Sequence, residues 1–351
     1  MSSHLLRPAR NGGSAAPVLV VTGASAGIGR ATAVAFARLG WRVALLARGH
    51  AGLEGARRDV EAAGGAALVI PLDVADGAAV SAAADQVVAQ WGRLDVWVNN
   101  AMATVFGPAE RVLPEEWRRV TEVTYHGAVH GTLAALRHMR EADGGTIVQV
   151  GSALAYRSIP LQAPYCAAKA ALRGFTDSLR CELLHDRSGV RLTMVQLPGV
   201  NTPQFSWSRT HMPRRHRPVG KIFEPEAAAR QIVRAALHAP REFWVGMPAI
   251  GAILGTMVAP GLFDRYLARS AYEAQMSLEP AGDGTSILNH PAGDDAGVRG
   301  PFEDEAKPQV LGISAALARA ASALLVTGMA SRLAIALARR RAHTTSPPLR
   351  S

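Results

Sequence analysis

The sequence predicts an α/β fold: a doubly wound parallel sheet of about seven strands flanked by helices, followed by a C-terminal helical extension. Three observations carry this. Short apolar, β-branched runs alternate with helical stretches from Val18 to Val245. The runs are apolar on both faces, which requires a sheet covered on both sides. A glycine-rich turn joins the first run to the first helix. Such alternation implies βαβ units with right-handed crossovers, whose ligands bind outside the carboxyl ends of the strands.

Taken in order, Val18 to Thr22 is a β-branched run stopped by Gly23, and the helical composition of 31–39 ends at Gly40. Residues 42–47 read as the second strand, 53–63 as a helix closed by Gly64 and Gly65, and 67–71 as the third strand. A helix over 80–91 leads to a fourth strand at 94–98. The turn Asp143-Gly144-Gly145 precedes a fifth at 146–150; residues 190–197 and 242–245 read as the sixth and seventh. The domain so defined spans 17–246. Residues 1–16 hold Arg7, Arg10 and a Gly-Gly-Ser stretch but no apolar run, so they read as a disordered leader and not as a secretory signal.

The extension, 247–351, has a different pattern. Phe243 to Phe263 carries no formal charge, but prolines and glycines interrupt it. A hydrophobic helix packed on the fold or on another subunit is favoured over a membrane span. Pro280 to Pro308 reads as an irregular linker. Ile313 to Ala338 is an Ala/Leu-rich helix followed by Arg339, Arg340 and Arg341. It could lie on an anionic membrane as a peripheral contact, or be solvated.

Composition narrows the classes. With 48% hydrophobic and 19% charged residues the chain can bury a large core, which excludes a wholly disordered protein. The two cysteines, Cys166 and Cys181, fall on one predicted helix about 22 Å apart, so they cannot pair. A reducing, cytoplasmic setting follows. The net charge of +10 comes without a basic, aromatic-interleaved helix or zinc-finger spacing, so no nucleic-acid partner is expected.

Thr22 to Gly29 follows the first strand and opens a helix. Gly23 permits the tight turn, Gly27 lets backbone approach a pyrophosphate, and Gly29 allows close helix–strand packing. Downstream, Tyr165 and Lys169 stand at i and i+4, on one helical face, with Ser152 just after the fifth strand. These motifs resemble the short-chain dehydrogenase/reductase family, with its T-G-x-x-x-G-x-G turn and Ser…Tyr-x-x-x-Lys set. The resemblance covers 17–245.

It implies a Rossmann-like dinucleotide site formed by Gly23, Ser25, Gly27, Ile28 and Gly29. An acid at the end of the second strand would select NAD, but Ala47 and then Arg48 stand there, which suits the 2′-phosphate of NADP(H). Asp73 and Val74 would sit by the adenine. Asn99-Asn100-Ala101-Met102 resembles the family's N-N-A-G, so Asn99 and Ala101 are cofactor candidates and Met102 is a departure. Pro198, Gly199 and Thr202 would face the carboxamide end of the nicotinamide, in a motif one residue shorter than the family's.

The chemistry explains the residue types. Reducing a ketone requires hydride at carbon and a proton at oxygen. Lys169 would lower the pKa of Tyr165, the general acid/base, and hold the nicotinamide ribose together with it; Ser152 would orient the carbonyl oxygen. Where the family carries a relay Asn, this chain has Thr124, whose hydroxyl can both donate and accept. Glu122, His126 and His130 share a helical face, but no further ligand completes a metal set, so no metal is expected. Cys166 reads as packing. The basic stretch 205–220, with Arg209, His211, Arg214, Arg215 and Arg217, reads as a mobile, solvated loop; the sharper alternative is a lid for an anionic substrate such as an acyl carrier. The sequence thus predicts an NADP(H)-dependent oxidoreductase acting on a small carbonyl/alcohol pair, with a lipophilic substrate and a homo-oligomeric assembly. The competing class is a non-catalytic NADP(H) sensor, or a scaffold for a membrane or partner.

Overall fold

The computed structural model describes residues 16–281 and 286–324. The elements are β1 (Val18–Thr22), α1 (Gly27–Ala37), β2 (Arg42–Ala47), α2 (His50–Ala62), β3 (Ala66–Pro71), α3 (Gly77–Trp91), β4 (Val96–Asn99), β5 (Val105–Phe106) and α4 (Pro114–Thr121). A π-helical turn, Glu122–His126, leads into α5 (Gly127–Glu141). Then follow β6 (Gly145–Ser152), α6 (Ala163–His185), β7 (Val190–Leu197), α7 (Gln204–Trp207), β8 (Arg209–Thr210), β9 (Arg214–His216), α8 (Pro225–His238) and β10 (Glu242–Val245). The extension supplies α9 (Met247–Val258), α10 (Pro260–Ala274), β11 (Met276–Pro280) and β12 (Gly312–Ser314).

The sheet has eight strands in the order β12-β10-β7-β6-β4-β1-β2-β3. All its neighbours pair in parallel except β10 with β12. The strand order reverses on either side of β1, whose neighbours are β2 and β4. The crevice at that reversal is where a doubly wound sheet receives a ligand. One face is packed by Phe36 of α1, Leu53 of α2 and Ile232 of α8. The other is packed by Val80 of α3, Met139 of α5 and Leu179 of α6. Residues of β1 alternate between these clusters, Leu19 and Val21 on one side and Val18 and Val20 on the other, as strand geometry requires.

The extension departs from the sequence reading. Ile313, read as helical, pairs with Trp244, so β12 covers the edge that β10 would otherwise leave open. Residues 315–324 are helical; the remainder of the predicted terminal helix and residues 1–15 lie outside the described residues. The uncharged run from Phe243 divides into β10, α9 and α10, with Pro260 opening the last. Among the described residues no helix is long and apolar enough to cross a membrane. Met257, Val258, Leu262 and Tyr266 remain exposed on α9 and α10.

The basic stretch is also corrected. It is anchored on both sides, with β8 pairing with β5 and β9 with β11. Its charges are matched: Arg214 with Glu273 at 2.6 Å, Arg215 with Glu279 at 2.9 Å and Arg217 with Glu305 at 2.7 Å. Buried Glu116 on α4 accepts from Arg209 at 2.9 Å, from His211 Nε2 at 2.6 Å and from the Leu113 N–H at 3.0 Å. Burial opposes ionisation of Glu116, yet His211, the Leu113 N–H and Arg209 together hold its carboxyl below the ordinary value. Its stabilising effect is therefore present above the carboxylate range and is lost as pH falls through the depressed value. Glu116→Gln should cost about 1–3 kcal/mol at pH 7. Urea titrations at pH 7 and pH 4 should show the gap between wild type and variant narrowing at the acid pH.

Candidate functional site

The turn after β1 and the turn after β4 come together at the strand-order reversal. Gly23 has φ +66°, and a Cβ there would lie 2.9 Å from the Ala101 Cα. A Cβ on Gly29 would lie 2.2 Å from the Gly23 carbonyl oxygen. Only glycine permits both approaches. The Asn100 side chain closes the junction, its Nδ2 donating to the carbonyls of Thr22 at 3.0 Å and Gly23 at 3.3 Å.

A cleft opens beside this junction. Its floor is Gly23, Ser25, Gly27 and Ile28, and its far wall includes Thr202. A Cβ on Gly27 would meet Thr202 Cγ2 at 3.2 Å, so the cradle has room for a ligand only because the side chain is absent. Ala101, Met102, Asp73, Val74 and Arg48 also line the cleft. Helix α1 directs its first N–H groups here, the arrangement that accepts a phosphate. The donor set therefore fits a dinucleotide.

At the adenosine end, two guanidiniums converge. Arg119 of α4 donates to Asp73 Oδ2, and Arg48 Nη1 lies 4.0 Å from the same oxygen. Burial, followed by the neighbouring Arg119 charge, lowers the Arg48 pKa against the pull of Asp73. Burial raises that of Asp73, but Arg119, the Ala75 N–H and Arg48 overcome this and hold its carboxyl below the ordinary value. Arg119 was not identified from sequence, because nothing in α4 marks it as facing a site after β3. Also missed were Asn100 and the linker residues Ile287, Pro291, Ala292, Asp294 and Ala296, which line the same cleft.

Ser152 ends β6 and Tyr165 and Lys169 lie in the first turns of α6. Burial raises the Tyr165 phenol above its ordinary pKa, with a hydrogen bond to Ser152 opposing the shift. Lys169 is buried and its Nζ donates to the Val150 carbonyl at 2.7 Å, standing 5.7 Å from the Tyr165 ring centre. Burial lowers its pKa to about 8. In this arrangement the phenol is thus less acidic than a free one, opposite to the lowering that the sequence reading assigned to Lys169. The ammonium faces a backbone carbonyl, and desolvation governs both groups.

The remaining candidates divide. The Thr124 hydroxyl accepts from the Ala103 N–H at 2.9 Å and donates to the Ala103 carbonyl at 3.0 Å. It sits in the π-turn and pins the loop after β4, with its donor engaged on backbone. The Asn99 side chain turns from the cleft into a buried network, accepting from Trp97 Nε1 at 2.8 Å and donating to Thr132 at 2.9 Å and Gln149 at 3.0 Å. Thr202 lines the cleft but Pro198 and Gly199, read as cofactor residues, do not; the Gly199 carbonyl accepts from the Phe223 N–H at 3.1 Å. His130 Nδ1 contacts the Val74 carbonyl at 3.0 Å, and burial raises the Cys166 thiol.

Asn99→Ala separates fold from ligand. It orphans the buried Trp97 Nε1 and Gln149 Oε1, so urea unfolding should show a loss of about 1–3 kcal/mol. Dinucleotide affinity, read by fluorescence titration, should stay within about twofold because this side chain is outside the cleft. A large affinity loss with intact stability would contradict that placement.

Comparison with known proteins agrees with the motifs. A family model described as short chain dehydrogenase matches residues 17–212. The uncharacterised oxidoreductase YxnA of Bacillus subtilis is 33% identical over 269 residues, 75% of each chain. SadH of Mycobacterium tuberculosis, also named as an oxidoreductase, is 33% identical over 239 residues, 66% of this chain and 87% of its own. Among solved structures, an alcohol dehydrogenase from the archaeon Thermococcus sibiricus complexed with 5-hydroxy-NADP is 27% identical, with TM-score 0.56 over 65% of this chain and 95% of that one. A metagenomic short-chain oxidoreductase in complex with NADP is 31% identical, with TM-score 0.53 over 64% and 91%. Glycine turn, strand order and these relatives converge: the chain belongs to the short-chain dehydrogenase/reductase family.

Proposed function

We propose that this oxidoreductase is NADP(H)-dependent and interconverts a carbonyl and an alcohol, with Tyr165 as the proton-exchanging group. The observation that carries the reading is the grouping of Ser152, Tyr165 and Lys169 at the carboxyl end of the sheet that also forms the glycine-floored cleft. The nicotinamide, when bound, would supply or accept the hydride at the substrate carbon. Ser152 hydrogen-bonds the substrate oxygen and Tyr165 stands beside it. A phenol kept protonated by burial is in the form that gives a proton to a carbonyl oxygen during reduction. The reverse direction needs that proton removed. A cation about 4 Å from the phenol would favour removal by roughly 4 kcal/mol at an effective dielectric near 20. Lys169 supplies this when its ammonium turns from Val150 towards the ring.

Arg48 and Arg119 support the preference for a 2′-phosphate, because two guanidiniums at the ribose end of the cleft favour the extra dianion. Met102, where the family has a glycine, adds apolar surface to the cleft, in keeping with a lipophilic substrate. An anionic carrier loses its support, since the arginines of the 205–220 stretch already have carboxylate partners.

Tyr165→Phe should reduce turnover at least about a hundredfold while NADPH still quenches or enhances protein fluorescence; undiminished turnover sinks the assignment. Arg48→Ala should weaken NADPH binding about tenfold or more and leave NADH within about twofold, a difference expected for one charge-assisted contact. The pH profile of kcat/KM should fall above about 8 as Lys169 loses its charge. Lys169→Arg should remove that limb, because guanidinium does not titrate there; a limb that persists belongs to another group.

A further inference from the structure

Residues 286–300 belong to the extension, yet they lie across the dinucleotide cleft and form one of its walls. The segment is held at three places. Leu288 is buried among Val105, Val112 and Val120. Asp295 accepts from Arg30 of α1 and lies 3.6 Å from Arg58 of α2. Beyond it, the Gly300 N–H donates to the Asn201 carbonyl at 3.3 Å.

Between these anchors, the segment turns its own carbonyls onto the donors of the cleft. Gly297 O accepts from the Gly27 N–H at 3.1 Å, the first N–H of α1. Leu288 O accepts from Arg48 at 3.2 Å and from Arg119 at 3.0 Å, and Ile287 O accepts from Arg48. A pyrophosphate would need the first donor and a 2′-phosphate the others. One N–H has one hydrogen to give, so backbone carbonyl and phosphate oxygen exclude each other at Gly27.

We propose that 286–300 is an internal competitor of the dinucleotide: a strap, latched by Asp295, whose carbonyls fill the anion positions and must leave Gly27 and Arg48 before the phosphates seat. The proposal rests on the dinucleotide reading of the cleft. Asp295 is the latch because it does two things at once. Its carboxylate binds Arg30, and its Oδ1 accepts from the Gly297 N–H at 3.2 Å, fixing the positive-φ turn that presents the Gly297 carbonyl. Without Asp295, Arg30 still has Asp59 at 2.7 Å, so no buried charge is orphaned and the fold survives.

Two variants release the latch by different routes. Asp295→Ala removes the carboxylate. Gly55→Ala leaves it but places a Cβ 2.0 Å from Asp295 Oδ2, at a position on α2 where alanine favours helix. Two measurements are made on the full chain: hydrogen exchange of the Gly27 amide without ligand, and NADPH association by stopped-flow fluorescence. In both variants the amide should exchange faster. Because apparent affinity scales with the open fraction, association should quicken and the apparent Kd fall by about fivefold. Slower or unchanged association, or weaker binding, would overturn the proposal and make the strap a wall that retains the cofactor. Failure of wild type and both variants to bind NADPH or NADH would instead overturn the dinucleotide reading, and the competition with it. Amide exchange tells these failures apart, since it reports the latch with no ligand present.

Discussion

The close approach of two backbone turns governs this structure. The loops leaving β1 and β4 touch at Gly23 and Ala101, at a separation that no side chain on residue 23 would allow. Gly29 then brings α1 down onto the first loop. Asn100 bridges the turns with two hydrogen bonds, and the Thr22 hydroxyl accepts from the N–H groups of Asn100 and Ala101. Once these loops are locked, the amino end of α1 can point only into the crevice where strand order reverses. The phosphate-binding geometry is therefore a consequence of sheet packing.

Buried polar groups then separate structural from chemical roles. Asn99, Thr132 and Gln149 bond to one another at the middle of the sheet, and all are inaccessible to solvent or nearly so. Each has partners, so the group fixes register and leaves nothing for a ligand. Lys169 differs. It has a single carbonyl for three donors, and burial has already drawn its pKa to about 8. A buried cation with unused donors is unstable relative to one that gains acceptors, and ribose hydroxyls would supply them.

Sequence made the sheet and the reacting set legible because both are written locally. β1, β2, β7 and β10 occupy the residues that apolar patterning marks out, since each is covered on both faces. Helix starts were placed late: α1 begins at Gly27 and α3 at Gly77, because glycine at a helix start carries no apolar signal. Asn99 was over-read. Neighbouring asparagines look alike in sequence, and only the alternation of a strand end decides that one points into the core while the next closes the turn. Arg119 and the linker were invisible for the opposite reason. Their roles depend on contacts between distant elements, and a Gly/Asp/Pro-rich stretch has no period to mark where it lands.

The extension shows why such a stretch can matter. A linker pressed against a folded surface must satisfy its carbonyls, since a buried one without a donor costs about 1–3 kcal/mol. Over 286–297 the donors that meet these carbonyls are those of a helix start and two arginines that suit anions. The strap therefore settles on the cofactor's donors for the same physical reason a phosphate would. Exchanging one acceptor for another leaves the number of hydrogen bonds nearly unchanged. The barrier to exchange then resides in the side-chain anchors, Leu288 in its apolar pocket and Asp295 on Arg30. Of these, Asp295 adjoins the phosphate end of the cleft, and it sets how readily that end opens without disturbing the core beneath.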